Sequence, residues 1–333
     1  MNFATRKKIY TTIERERETK VITFVTSDRA GVETQIAPDS IDLFVDLLDH
    51  IGPTKRISLL LHTNGGHTSA AWRLVNLIRT FCDELEVLIP LKAMSAGTLL
   101  SLGAHKIVMT KQAALGPIDP SINHALGPQV PYGNQLARVP VSVEAVKGYL
   151  DAARNDLNIT DQTALAQLII DLSNKVHPLV LGEIFRSRAQ IRFLAEKLLA
   201  GQVTDPEKVQ KIIDFLCADS GSHDYTMNRR EAESLGLKIE KPTQQFYQTL
   251  RKIHLSYAEQ LKLIEPYSPQ VMLGANPTVN YSLVRGLVES TKGGCYGYLS
   301  EGALTKVMVP GPTGAMQESI ADQRTFEGWR KIS

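Results

Sequence analysis

Ser95 stands in Lys92-Ala-Met-Ser-Ala-Gly-Thr98, after the apolar run Leu85–Leu91 and before Ala96–Gly103, which reads as a buried helix. A serine at such a strand-to-helix junction has its hydroxyl at the end of a sheet. The next backbone N–H, at a helix N-terminus, points at developing negative charge. This is the logic of a nucleophile elbow, although the Gly-x-Ser-x-Gly pattern is not met because position 93 is alanine. The same residues would also serve as an ordinary helix N-cap. A second turn precedes it. Arg56-Ile-Ser-Leu-Leu-Leu-His62 ends in Thr63-Asn-Gly-Gly-His67, and Ala70, Ala71, Leu74, Leu77 and Ile78 follow at helical spacing. Two glycines after a strand let backbone N–H groups face a ligand, where the plainer reading is a tight turn. Glycines after one strand and a small-flanked serine after the next would set an oxyanion hole beside a nucleophile, which is the equipment of acyl transfer.

The elements that must position these groups alternate. Strands are expected at 21–25, 56–62, 85–91, 106–109 and 113–117, and helices at 40–49 (N-capped by Ser40), 68–82 and 96–103. Such alternation predicts an α/β fold whose core is a mainly parallel sheet of repeated βα units. Catalytic groups then gather at the C-terminal ends of the strands. Residues 127–140 read as an exposed loop or lid, and a helical insertion follows in pieces near 142–155, 160–173, 178–200 and 205–217. Leu165, Leu168, Ile169 and Leu172 predict core packing for its second piece. One more helix is expected at 243–263, and beyond Pro266 turns and short strands. The domain expectation is an N-terminal arm at 1–19, a catalytic domain at 20–242 and a C-terminal appendage at 243–333.

Of 333 residues, 43% are hydrophobic and 22% charged, which excludes disordered and fibrous classes. A net charge of +2 argues against a nucleic acid held by bulk electrostatics. The clusters Arg6-Lys7-Lys8 and Arg229-Arg230 are short and read as solvated. Cys82, Cys217 and Cys295 form no metal-ligand or disulfide pattern, which fits a reducing cytoplasm. Neither a signal peptide nor an apolar run of about eighteen residues is present, so no integral membrane segment is expected. Gly311-Pro-Thr-Gly314 lacks the lysine of a phosphate-binding loop, and no cofactor or metal is expected.

Leu-Leu-His-Thr-Asn-Gly-Gly (60–66), Ala-Met-Ser-Ala-Gly-Thr (93–98) and Ala-Leu-Gly-Pro-Ile-Asp-Pro (114–120) fall in the order and spacing of the ClpP/crotonase superfamily. From about residue 20 to about 240 the chain resembles the serine dehydrogenase proteinases, relatives of ClpP and signal-peptide peptidase A. Asn228–Leu237 is similar to the segment that closes these domains. The resemblance implies that Ser95 is the nucleophile and that the N–H of Gly65 or Gly66, with that of Ala96, forms the oxyanion hole. Its serine, aspartate, histidine order implies Asp119 and a later histidine. His177 is taken as the base, His223 beside Asp224 is the alternative, and a Ser–Lys dyad through Lys147 or Lys175 is a further one. The implied protein is a cytoplasmic, homo-oligomeric serine endopeptidase acting on peptides or proteins. The competing readings are a non-catalytic or partner-gated scaffold and a crotonase-type acyl-CoA enzyme.

Overall fold

The computed structural model describes all residues except 1, 119–120, 123, 133–134, 220–223 and 312–313. The expected Asp119 and the alternative His223 therefore lie outside the described residues. The chain forms two compact units, residues 1–115 with 227–333 and residues 116–226. Residues 1–19 and 243–333, expected as an arm and an appendage, both fall within the first unit.

The first unit opens with helix α1 (Phe3–Arg17) and strand β1 (Lys20–Thr26), then α2 (Ile41–Ile51) and β2 (Thr54–His62). After them come α3 (Thr68–Arg79), β3 (Cys82–Ile89), β4 (Lys92–Ala93), α4 (Ala96–Leu102), β5 (Lys106–Met109) and β6 (Ala114–Leu115). Ser40 does not cap α2 through its side chain. A short 3-10 turn at Pro38–Ser40 leads into the helix, and the Ser40 hydroxyl donates to Ala37 O at 2.7 Å.

The second unit contains β7 (Ser121–Ile122), β8 (Gln129–Tyr132), β9 (Gln135–Arg138), β10 (Val141–Ser142) and the helices α5 (Val143–Asp151), α6 (Gln162–Lys175), α7 (Pro178–Leu199) and α8 (Pro206–Asp214). Residues 127–140, expected as a loop, carry the antiparallel pair β8 and β9. Val143, Val146, Val180 and Ile184 give α5 and α7 a shared core. The core expectation for α6 holds only in part: none of its residues is fully buried and Ile169 is 51% exposed, but half-buried Leu172 packs against this core. Periodicity reports a stripe, not what covers it.

The chain then returns to the first unit with β11 (Met227–Asn228), α9 (Arg229–Leu235), β12 (Ile239–Glu240), α10 (Gln244–Leu261), α11 (Pro269–Leu273), β13 (Thr278–Ser290), β14 (Gly294–Pro310) and β15 (Met316–Lys331). The expected short strands beyond Pro266 are in fact three long ones, joined to the main sheet. Its order is β12-β5-β3-β2-β1-β13-β14-β15, parallel from β12 to β1 and antiparallel from β1 onward. The last six residues of β2 are all buried, as a parallel strand covered on both faces requires.

Side chains alternate across the sheet. Val21 and Val25 of β1 join Leu60, Leu88 and Val108 in a core sealed by α1 and α10. Phe24, on the other face, meets Phe44 of α2 edge-on at 5.4 Å. Arg6, read as solvated, is fully buried. Its Nε donates to Glu289 Oε2 at 3.0 Å, and Tyr10 donates to the same carboxylate at 2.6 Å. Arg6 Nη1 also reaches Ser256 Oγ of α10 at 3.0 Å. Lys7 and Lys8 are exposed, so burial is specific to the residue that faces β13.

Removing one partner of this buried pair leaves the other charge uncompensated. Arg6→Met should cost about 3–5 kcal/mol of unfolding free energy in urea titration. A change below about 1 kcal/mol would show that Glu289 is satisfied without it.

Candidate active site

The two turns share a root. Thr63 N donates to Lys92 O at 3.2 Å and Met94 N to Thr63 O at 3.0 Å, extending the sheet past the ends of β2 and β3. Beyond that root, Gly65 and Gly66 have φ of +115° and +143°. Ile36 N donates to Gly65 O, and His67 N to Ile36 O, both at 2.8 Å, so the turn is held as a short parallel bridge. Both glycines are steric requirements. A Cβ on Gly66 would lie 2.2 Å from Ile36 O, and one on Gly65 would lie 2.8 Å from the Ser95 Cβ.

Ser95 has φ +49° and ψ −114°, a conformation L residues rarely hold. Such strain costs on the order of 1–3 kcal/mol and persists where surrounding structure enforces it. The enforcement is visible. Every residue of α4 is buried, Thr98 Oγ1 donates to Ala93 O at 2.8 Å, and a Cβ on Gly97 would meet Thr63 Cγ2 at 2.4 Å. The N-cap reading fails, because the half-buried Ser95 side chain makes no capping bond. Met94 O instead accepts from Gly97 N at 2.8 Å, and Ser95 O from Leu99 N at 3.0 Å.

Among the described residues, the N–H groups of Gly66 and Ala96 reach no protein acceptor. Gly65 N donates to Thr63 Oγ1 at 2.9 Å, which turns it away from that role. Two open donors therefore flank the serine turn, one of them at the N-terminus of α4. A cavity of about 500 Å³ lies against the glycines, lined among others by Gln35, Asn64, Arg285 and Tyr298.

Behind the turns is a charged cluster that the sequence reading missed. Asp28, just past β1, ion-pairs with Lys92, and its Oδ2 lies 3.8 Å from Nε2 of the fully buried His62. His254 and Tyr257 of α10 close the cluster, sharing a 2.9 Å hydrogen bond, with both rings 5.5 Å from His62. Burial opposes ionisation of Asp28, but His62 and Lys92 outweigh it and hold the carboxyl well below its usual range. Burial, helped by His62, pushes His254 down to about 4. The available signal was positional, since His62 and Lys92 each stand three residues before Gly65 and Ser95.

Ser95, Gly65, Gly66 and Ala96 are thus brought together. His177 belongs to the second unit, where it caps α7 and its Nδ1 accepts from Leu179 N at 3.2 Å. Lys147 of the same unit pairs with Asp151 at 2.7 Å, and Lys175 ends α6 exposed. Among the described residues, no three His, Cys, Asp or Glu side chains are grouped to hold a metal ion.

Residues 1–132, which carry both turns, match the family of ClpP-like SDH-type serine proteinases. Two uncharacterized proteins of Methanocaldococcus jannaschii are similar to the chain. One is 28% identical over 224 residues, 66% of this chain and 67% of the relative. The other is 27% identical over 225 residues, 68% of this chain but 61% of the relative. Among solved structures, a serine-to-alanine mutant of the 1510-N membrane-bound stomatin-specific protease matches with TM-score 0.39 and 16% identity, over 69% of this chain and 83% of that one. A lysine-to-alanine mutant of the same protease, in complex with a substrate peptide, matches with TM-score 0.37 and 18% identity, over 66% and 74%.

Gly66→Ala should lower stability by more than about 1 kcal/mol, because both the φ and the Ile36 contact forbid a Cβ. An unchanged urea midpoint would refute that packing. His254 has a folded pKa of about 4 against an ordinary 6.5, so the unfolded chain takes up the proton first. Its contribution is complete above pH 6.5 and is lost as pH falls towards 4. Urea midpoints should fall across that interval, and His254→Gln should flatten the fall.

Proposed function

We propose that the protein is a serine endopeptidase of the ClpP and signal-peptide-peptidase-A type. The observation that carries this reading is the backbone of Ser95, a non-glycine residue at positive φ with open N–H groups on both sides. A strained serine at the head of a buried helix has no evident use in packing, whereas it sets a hydroxyl where a carbonyl can approach.

Ser95 Oγ attacks the peptide carbonyl, and the N–H groups of Gly66 and Ala96 hold the oxyanion that forms. The base takes the serine proton, passes it to the leaving amine, and then activates the water that releases the acyl group. His177 oriented by Asp119 fills that role, with His223, Lys147 and Lys175 as the groups to test beside it. The cavity at the glycines offers room for substrate side chains next to the scissile bond. No helix among the described residues is long and apolar enough to cross a membrane. Cys82, Cys217 and Cys295 form no disulfide among the described residues, which supports work in the cytoplasm. The exposed Ile169 and Ile170 of α6 support a homo-oligomer.

Fluorophosphonate labelling with mass mapping tests the nucleophile. The adduct is expected on Ser95 and absent from Ser95→Ala, with the unfolding midpoint of that variant nearly unchanged. His177→Ala should slow peptide cleavage by about 10³-fold or more. Folded protein that takes no label would instead favour a partner-gated or non-catalytic scaffold.

A further inference from the structure

The Asp28 cluster has no part in the chemistry just described, yet it sits at the base of both turns. β1 lies beside β2, and both run parallel to β3, so Asp28 emerges at the same end of the sheet as His62 and Lys92. His62 is three residues before Gly65, and Lys92 is three residues before Ser95. One carboxylate therefore faces the root of the glycine turn and the root of the serine turn together. We propose that Asp28 is a positioning residue, which ties the two roots and so fixes the Ser95 hydroxyl against the open Gly66 N–H. This inference rests on the peptidase reading of Ser95.

Three observations support the tie. First, Asp28 and Lys92 are only 17% and 25% exposed, so their attraction is partly shielded from solvent, and the fully buried His62 ring lies 3.8 Å from the same carboxylate. Second, both His62 ring nitrogens and Asp28 Oδ1 are buried without a hydrogen-bond partner. Unsatisfied buried polar atoms are costly, and a residue kept only to fill the core would be apolar or fully bonded. Third, the backbone ladder between the two turns stops at Thr63 and Met94, whereas the residues at positive φ lie beyond it, so among the described residues no backbone bond joins the turns there. Strained turns relax unless something opposes them, and the two side chains nearest their roots both converge on Asp28.

Asp28→Asn keeps the shape and removes the charge. In the variant, Ser95 should still label to full stoichiometry, but roughly 10- to 100-fold more slowly, the cost of a misplacement of about 1 Å. Peptide kcat should fall by the same factor, with KM held within about two-fold. Amide exchange should rise in 63–67 and 93–97 together. Asp28→Glu should recover part of the rate, and Lys92→Gln should reproduce the loss should the asparagine variant fail to fold.

Labelling of Asp28→Asn at the wild-type rate, whether complete or to reduced stoichiometry, would overturn the proposal, the second result marking a merely structural role. Exchange unchanged in both turns would overturn it too. Wild-type protein that takes no label would remove the peptidase reading and the positioning role with it. A labelled wild type with an unaffected variant removes the positioning role alone.

Discussion

The approach of Gly65 to Ser95 is the contact around which the rest of the site is arranged. Two turns from neighbouring strands can come this close only if one of them has no side chain, and only if the other bends into a conformation its own Cβ disfavours. Neither turn would keep that shape alone. The glycine turn is held by Ile36 on its outer side, and the serine turn by a helix with no exposed residue. Gly97 extends the same logic by one residue, letting α4 rest on Thr63. Open N–H groups are a by-product of this geometry. They arise where a strand has ended and a helix has barely begun, so that neither ladder claims them.

The far part of the chain serves the same end by a different route. α10 lies on the face of the sheet that α1 also covers, and it brings His254 and Tyr257 up to His62. β13 carries Glu289, which receives Arg6 and Tyr10 from α1. The first and last thirds of the sequence are thereby locked through one buried carboxylate. A buried ion pair adds less stability than its geometry suggests, because both charges lost water to form it. Arg6 and Tyr10, one turn apart on α1, must both face β13 to reach Glu289.

Local patterns carried much of the architecture. The alternation of apolar strands with helix-period segments from residue 20 to 115 reads directly as parallel βα units, and both turns follow the strands expected of them. The glycine pair and the small-flanked serine were legible because each answers a local steric demand. What was not legible depended on distant partners. Arg6 looks like its neighbours Lys7 and Lys8 until β13 supplies a carboxylate, and Asp28 is an ordinary loop acid until Lys92 and His62 arrive beside it. The long strands β13 to β15 were read as short because glycine and proline punctuate them. Antiparallel pairing tolerates such residues at bulges, and register shifts do occur between Val284 and Gly286 and between Glu301 and Gly302. The stripe on α6 was read wholly as core because periodicity does not say what lies opposite.

The order of the strands bears on how the protein is made. β1 precedes one of its two neighbours, β13, by more than two hundred and fifty residues. Until that strand has been synthesised, β1 presents a bare row of N–H and C=O groups to whatever extended chain is near. The serine turn is complete long before. In that interval the open strand edge, a ready partner for other extended chains, belongs to the same sheet that carries the two turns. Because α10 and β13 follow both turns by more than a hundred and forty residues, the sheet and the histidine cluster close only after the turns themselves have been synthesised.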